Sequence, residues 1–104
     1  VKKSPTQRSL AHLREQGFLC AVVERWNPHA GVRQDLYGFI DVLAIREGET
    51  LAVQACARGS VSERLTKILE HPNYPRVKSA GWSVVIHGWG KMASGKYELR
   101  EVTP

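Results

Sequence analysis

Asp41 and Gln54 are the polar side chains whose types and spacing could do chemistry, because they interrupt two otherwise apolar arms of one stretch, Tyr37 to Cys56. Val, Ile, Leu, Tyr and Phe dominate YGFIDVLAIREGETLAVQAC, and Arg46-Glu47-Gly48-Glu49 supplies the polar, glycine-containing break of a hairpin. A two-residue turn at Glu47-Gly48 pairs Arg46 with Glu49, and that register sets Asp41 opposite Gln54. Side chains alternate faces along a strand, so Cys56 shares the face of Gln54, and Phe39 and Leu43 share that of Asp41. A carboxylate and an amide meeting among such neighbours must be satisfied by hydrogen bonds or by a bound ion. Bonds from Asp41 to backbone groups or to a helix terminus would meet the same need without any function, and the hairpin alone does not choose between the two.

The elements that position this pair can be read on either side of it. Ser4-Pro5-Thr6-Gln7 opens a helix with Ser4 as N-cap, Pro5 at the first helical position and Gln7 closing a capping box. Leu10, Ala11 and Leu13 form its buried side, Arg8, His12, Arg14 and Glu15 its solvated side, and Gly17 ends it. Phe18 to Trp26 is a first strand, expected inside the sheet and covered on both faces, and Asn27 to Leu36 is a loop that carries Arg33 and Asp35 into the hairpin. After Cys56, Ser60-Val61-Ser62-Glu63 offers a second capping box. Val61, Leu65, Ile68 and Leu69 follow the spacing of a helix packed on a sheet, bordered by a basic stripe of Arg64, Lys67 and His71. Such a stripe could lean toward the polar pair or be a solvated flank. Pro72 and Pro75 end this helix, Arg76 to Ala80 adds one further turn, Trp82 to Trp89 is a fourth strand, and Tyr97 to Val102 a half-exposed edge strand.

A chain of 104 residues makes a single domain, 1–104, with one core. Fifteen Lys and Arg against ten Asp and Glu give a net charge of +5, which favours a polyanionic partner. No apolar run approaches the roughly 18 residues of a membrane span. Val1 to Pro5 lead into an amphipathic segment rather than a signal-peptide core, so a soluble, cytoplasmic protein is expected. Cys20 and Cys56 lack zinc or CxxC spacing and read as reduced, and His12, His29, His71 and His87 are scattered and read as no metal site.

The order of helix, three strands, helix and strand, with the aspartate of Gly38-Phe39-Ile40-Asp41 and Gln54 in Val53-Gln54-Ala55-Cys56, resembles the PD-(D/E)XK nuclease superfamily. The likeness is to its small Holliday-junction-resolvase, VRR-NUC-like and phage-encoded endonuclease-like members, and it spans Gln7 to about Trp89. It implies an α/β, restriction-endonuclease-like αβββαβ core, a central mixed sheet flanked by helices, here with an extra C-terminal strand. It also implies a Mg²⁺ (or Mn²⁺) cofactor, held through Asp41 and, where the family has an acidic residue, Gln54. Hard oxygen ligands suit such an ion, which neutralises charge developing on a phosphodiester.

Two departures matter. Gln54 keeps only a neutral carbonyl oxygen, and Cys56 stands where the family has the lysine that positions or activates water. Either the basic role has moved to Arg58, Arg64 or Lys67, with Asp35 and Glu24 restoring negative charge, or the domain has lost catalysis and only binds nucleic acid. Gln7 stands roughly where resolvase-like members carry a first-helix glutamate. The expected function is therefore a divalent-metal-dependent endonuclease acting on DNA, with Asp41, Gln54 and Lys67 catalytic. Arg33, Arg58, Arg64 and Lys67 are expected to contact DNA or a structured nucleic acid. A catalytically inactive nuclease-like binding domain is the alternative, and an assembly protein using Trp26, Trp82 and Trp89 a third class. Cutting two strands would favour a homodimer.

Overall fold

The computed structural model describes residues 3–104, so Val1 and Lys2 lie outside the described residues. Helix α1 (Pro5–Glu15) opens with the expected capping box: Ser4 Oγ accepts from the Gln7 N–H at 3.2 Å and Gln7 Oε1 from the Ser4 N–H at 3.0 Å. Strands β1 (Leu19–Val22), β2 (Arg25–Asn27), β3 (Val32–Gln34), β4 (Val42–Arg46) and β5 (Glu49–Ala57) follow. A short 3₁₀ turn, Arg58–Ser60, leads into α2 (Val61–Glu70), then α3 (Tyr74–Ser79), β6 (Ser83–Lys91) and β7 (Tyr97–Val102).

Five strands form one mixed sheet in the order β1-β4-β5-β6-β7, parallel only between β5 and β6, where α2 and α3 make the crossover a parallel pair requires. This is the α/β architecture expected, with its extra C-terminal strand at one edge. The hairpin has the expected register, Arg46 against Glu49 through Val42 against Val53. Beyond it, the Asp41 N–H donates to the Val53 carbonyl at 2.9 Å. Asp41 itself stands one residue before β4 rather than within it.

The sheet separates two apolar layers. On one face Leu13 and Phe18 pack on Val42, Ala44, Val53 and Val85; on the other, Val61 and Ile68 of α2 and Val77 of α3 pack on Phe39, Ala52, Cys56, Val84 and Ile86. The first layer also buries a polar network. Ser9 Oγ lies 2.8 Å from His87 Nδ1 and accepts from the Trp89 indole N–H at 2.9 Å. Burial, and then the charge of His12, push the His87 imidazole down to about 4, so it is neutral near pH 7.

Several sequence expectations are corrected. Phe18 to Trp26 is not one interior strand. It breaks at Val23-Glu24 into β1, an exposed edge, and β2, which leaves the sheet to pair with β3. Leu19 is 71% exposed, because a short apolar run reads the same at an edge as at a centre. Asn27 to Leu36 is accordingly not all loop: its Val32–Gln34 is β3, which pairs with Arg25–Asn27 across a turn fixed by Asn27 Oδ1 accepting from the His29 and Ala30 N–H groups. Ala11 is exposed and Ser9 takes the buried position. Ser60 makes no capping bond, because the preceding 3₁₀ turn holds it in a helical conformation. Among the described residues no helix is long and apolar enough to cross a membrane.

Replacing Ser9 with Ala removes the shared partner of His87 and Trp89, leaving buried polar atoms unpaired at a cost of about 1–3 kcal/mol. Urea unfolding followed by tryptophan fluorescence should show that loss in midpoint at unchanged slope.

Candidate metal centre

Glu24, Asp35 and Asp41 come together at the mouth of the hairpin, one carboxylate oxygen from each lying within 4.8 Å of the other two. Local folding brings them there. The break between β1 and β2 turns Glu24 out of the sheet edge, β3 returns the chain to Asp35, and a tight reversal at Leu36–Ile40 delivers Asp41. In that reversal Leu36 accepts from the Phe39 and Ile40 N–H groups at 3.3 and 3.0 Å. Tyr37 and Gly38, at φ 55 and 92, supply the two left-handed residues such a turn demands.

Asp41 is buried, and Gln54 meets it across the hairpin as the register requires: Gln54 Nε2 donates to Asp41 Oδ2 at 2.6 Å. The Ala55 N–H donates to the same oxygen at 2.9 Å. Desolvation, hydrogen bonding with Asp35, and the negative charges of Asp35 and Glu24 push the Asp41 carboxyl up to about 8, against the Ala55 bond. Asp41 is therefore largely protonated near neutral pH until a cation balances the cluster.

The basic residues divide. Arg64 lies beside Cys56, its guanidinium charge opposing the rise that burial imposes on the thiol, and Arg64 Nε is buried without a hydrogen-bond partner. Arg33 Nη1 donates to Glu24 Oε1 at 2.9 Å, so it balances one carboxylate of the cluster while remaining 66% exposed. Arg58 is turned toward β7, where it pairs with Glu98 at 3.1 Å. Lys67 is exposed on α2, and no ion pair or hydrogen bond among the described residues ties it to the cluster. Of the α2 stripe, Arg64 stands beside Cys56, while His71 packs its ring on Phe39 at a centroid distance of 5.6 Å. Gln7 belongs to α1, on the opposite side of the sheet, and is occupied by its cap. The Ala55 N–H was hidden from sequence reasoning because a backbone donor leaves no trace in residue type.

No family model, curated protein or solved structure matches this chain. The donor set must therefore speak for itself. Three carboxylates and the Gln54 Oε1, a buried acceptor with no donor, are hard oxygen ligands, which fit Mg²⁺ or Mn²⁺ rather than a soft thiophilic ion. Cys56, with its thiol pushed up and hence neutral, adds no competing thiolate.

The sign of the Asp41 shift yields a test. A carboxyl whose folded pKa, about 8, exceeds its unfolded value of 3.8 contributes stability that is full below the unfolded value and is lost as pH rises through 8. In EDTA, Asp41→Asn should melt close to the wild type near pH 4 and progressively above it toward pH 8.5. Adding Mg²⁺ or Mn²⁺ at high pH should raise the wild-type midpoint and leave that of Asp41→Asn unchanged. Parallel pH profiles for the two proteins would contradict the burial argument.

Proposed function

We propose that this domain is a divalent-metal-dependent phosphodiester hydrolase acting on DNA, with Glu24, Asp35 and Asp41 holding the cation and Gln54 contributing a weaker carbonyl ligand. The observation that carries the reading is the convergence of these carboxylates around a buried aspartate that needs positive charge. When bound, Mg²⁺ or Mn²⁺ supplies Lewis-acid stabilisation of the charge that develops on the phosphodiester. The chain's own residues do the rest. Ala55 and Gln54 fix the Asp41 carboxylate in place through Oδ2, and Arg33 limits repulsion within the cluster by pairing with Glu24.

Arg64 takes the position of the missing cation. Arg64 is half-buried beside the Cys56 thiol, and its planar guanidinium suits bidentate donation to a phosphate better than a lysine ammonium does. Arg64 cannot give up a proton, so its role is to position and stabilise the phosphodiester rather than to act as a base. Net charge of +5 favours approach of the polyanion.

A second reading is favoured by the 2.6 Å bond that points the Gln54 amide nitrogen at Asp41, since an amide satisfying the carboxyl can stand in for a cation. On that reading the domain binds nucleic acid without cutting it. Purified protein should cleave DNA only with Mg²⁺ or Mn²⁺, and Asp41→Asn should abolish cleavage while retaining binding. No cleavage of duplex, branched or single-stranded DNA with either metal, together with activity gained by Gln54→Glu with Cys56→Lys, would establish the binding-only reading.

Binding affinity should fall linearly with salt on logarithmic axes, and Arg64→Ala should lower that slope by about 1, as expected for the loss of one phosphate contact. Salt-insensitive binding would count against a phosphate-contacting surface.

A further inference from the structure

We infer that the cavity between Tyr37 and Trp82 is a seat for one unpaired nucleobase of the bound strand. This takes the nucleic-acid partner from the proposed function and adds where an unstacked base would go. The cavity, about 480 Å³, is lined by Tyr37, Asn73, Arg76, Val77, Ala80 and Trp82, and its size falls within the roughly 300–1,000 Å³ of small-molecule sites. Its two aromatic rings stand 6.1 Å apart between centroids and tilt by 44°, a wedge rather than a closed stack. Tyr37 is 51% exposed, and Trp82 is half-buried against the core. An aromatic platform open on one side, with a cation beside it, is the arrangement on which unpaired bases stack regardless of sequence.

The polar groups fit the same ligand. Arg76 has no carboxylate partner among the described residues, leaving its guanidinium for a phosphate or a base face. Asn73 Nδ2 donates to the Tyr37 carbonyl at 3.1 Å, which leaves its amide oxygen to accept from a base edge. The backbone argues that the ring of Tyr37 is there for a purpose. Among the described residues Tyr37 alone, apart from glycines, has a positive φ, and a bulky side chain in that region is strained.

Burial does not offset the strain, since half of the residue faces solvent. The turn is instead held from below: Asn73 grips the Tyr37 carbonyl, and Gly38 approaches His71 so closely that a Cβ there would collide with the imidazole. Asp35 of the acidic cluster lies two residues before Tyr37, which limits their Cα atoms to about 7 Å apart. The seat and the acidic cluster are thus joined through one short stretch of chain.

The test uses the full chain in EDTA and fluorescence anisotropy with two labelled strands of equal length, a single-stranded oligodeoxynucleotide and its fully abasic counterpart. Wild-type protein should bind the intact strand about tenfold more tightly, the scale of one base–aromatic stack. Tyr37→Gly should erase the difference without lowering the thermal midpoint, since glycine relieves the strained φ. Equal affinity of the wild type for both strands would overturn the seat, as would a preference that survives in both Tyr37→Gly and Trp82→Leu. Asp41→Asn separates this proposal from the hydrolase reading. A base preference that persists where no protein cleaves leaves the seat standing without the enzyme, and metal-dependent cleavage with no base preference removes the seat alone.

Discussion

The structure depends on keeping a carboxyl group buried among other carboxyl groups. Asp41 is 3% exposed, and everything near it answers the resulting electrostatic demand: two N–H donors converge on Oδ2, Arg33 draws off the charge of Glu24, and the proton is retained well above the ordinary carboxylate range. A sheet built only for stability would place an apolar residue there, as it does at Val42 next door. The reversal at Leu36–Ile40, with its left-handed Tyr37, delivers Asp41 to this position just before β4, and its Tyr37 also lines the aromatic cavity. One local strain thus shapes both features.

Both faces of the sheet bury polar groups. Beneath α1, Ser9, His87 and Trp89 form a short chain in which each heteroatom's role follows from its neighbour's, and His87 is kept neutral. Glu101 approaches the Nε2 atoms of His12 and His87 only at 3.6 and 3.7 Å, too far for strong bonds. That face buries its polar atoms to fix α1 on the sheet. Beneath α2, Gln54 Oε1 and Arg64 Nε are buried without partners, as His12 Nε2 and His87 Nε2 are beneath α1.

What could be read in the sequence was local and periodic. The hairpin register, the Asp41–Gln54 pairing and the α1 cap follow from short-range rules and are present, and Val61, Leu65 and Ile68 of the expected α2 face pack on the core, whereas Leu69 is 51% exposed. The break within Phe18 to Trp26 was not legible, because apolar character is the same for a central strand, an edge strand and a strand that leaves the sheet. That miss concealed β2 and β3, and with them the reason Glu24 and Asp35 reach Asp41 from separate elements. Ser9 and His87 are 78 residues apart, so no window of sequence could show that they touch.

That separation has a consequence for how the molecule assembles. The acidic cluster, its hairpin and α2 come from residues 24 to 70, so the contacts among them close short loops, which cost little entropy. The Ser9–His87 contact can close only once the β5-α2-β6 crossover has laid β6 down. The acidic cluster itself is made by local connections, while α2 above it packs on β6 as well as on β5. The helix at the start of the chain is thereby tied to β4 and β5 through Leu13 and to β6 through Ser9.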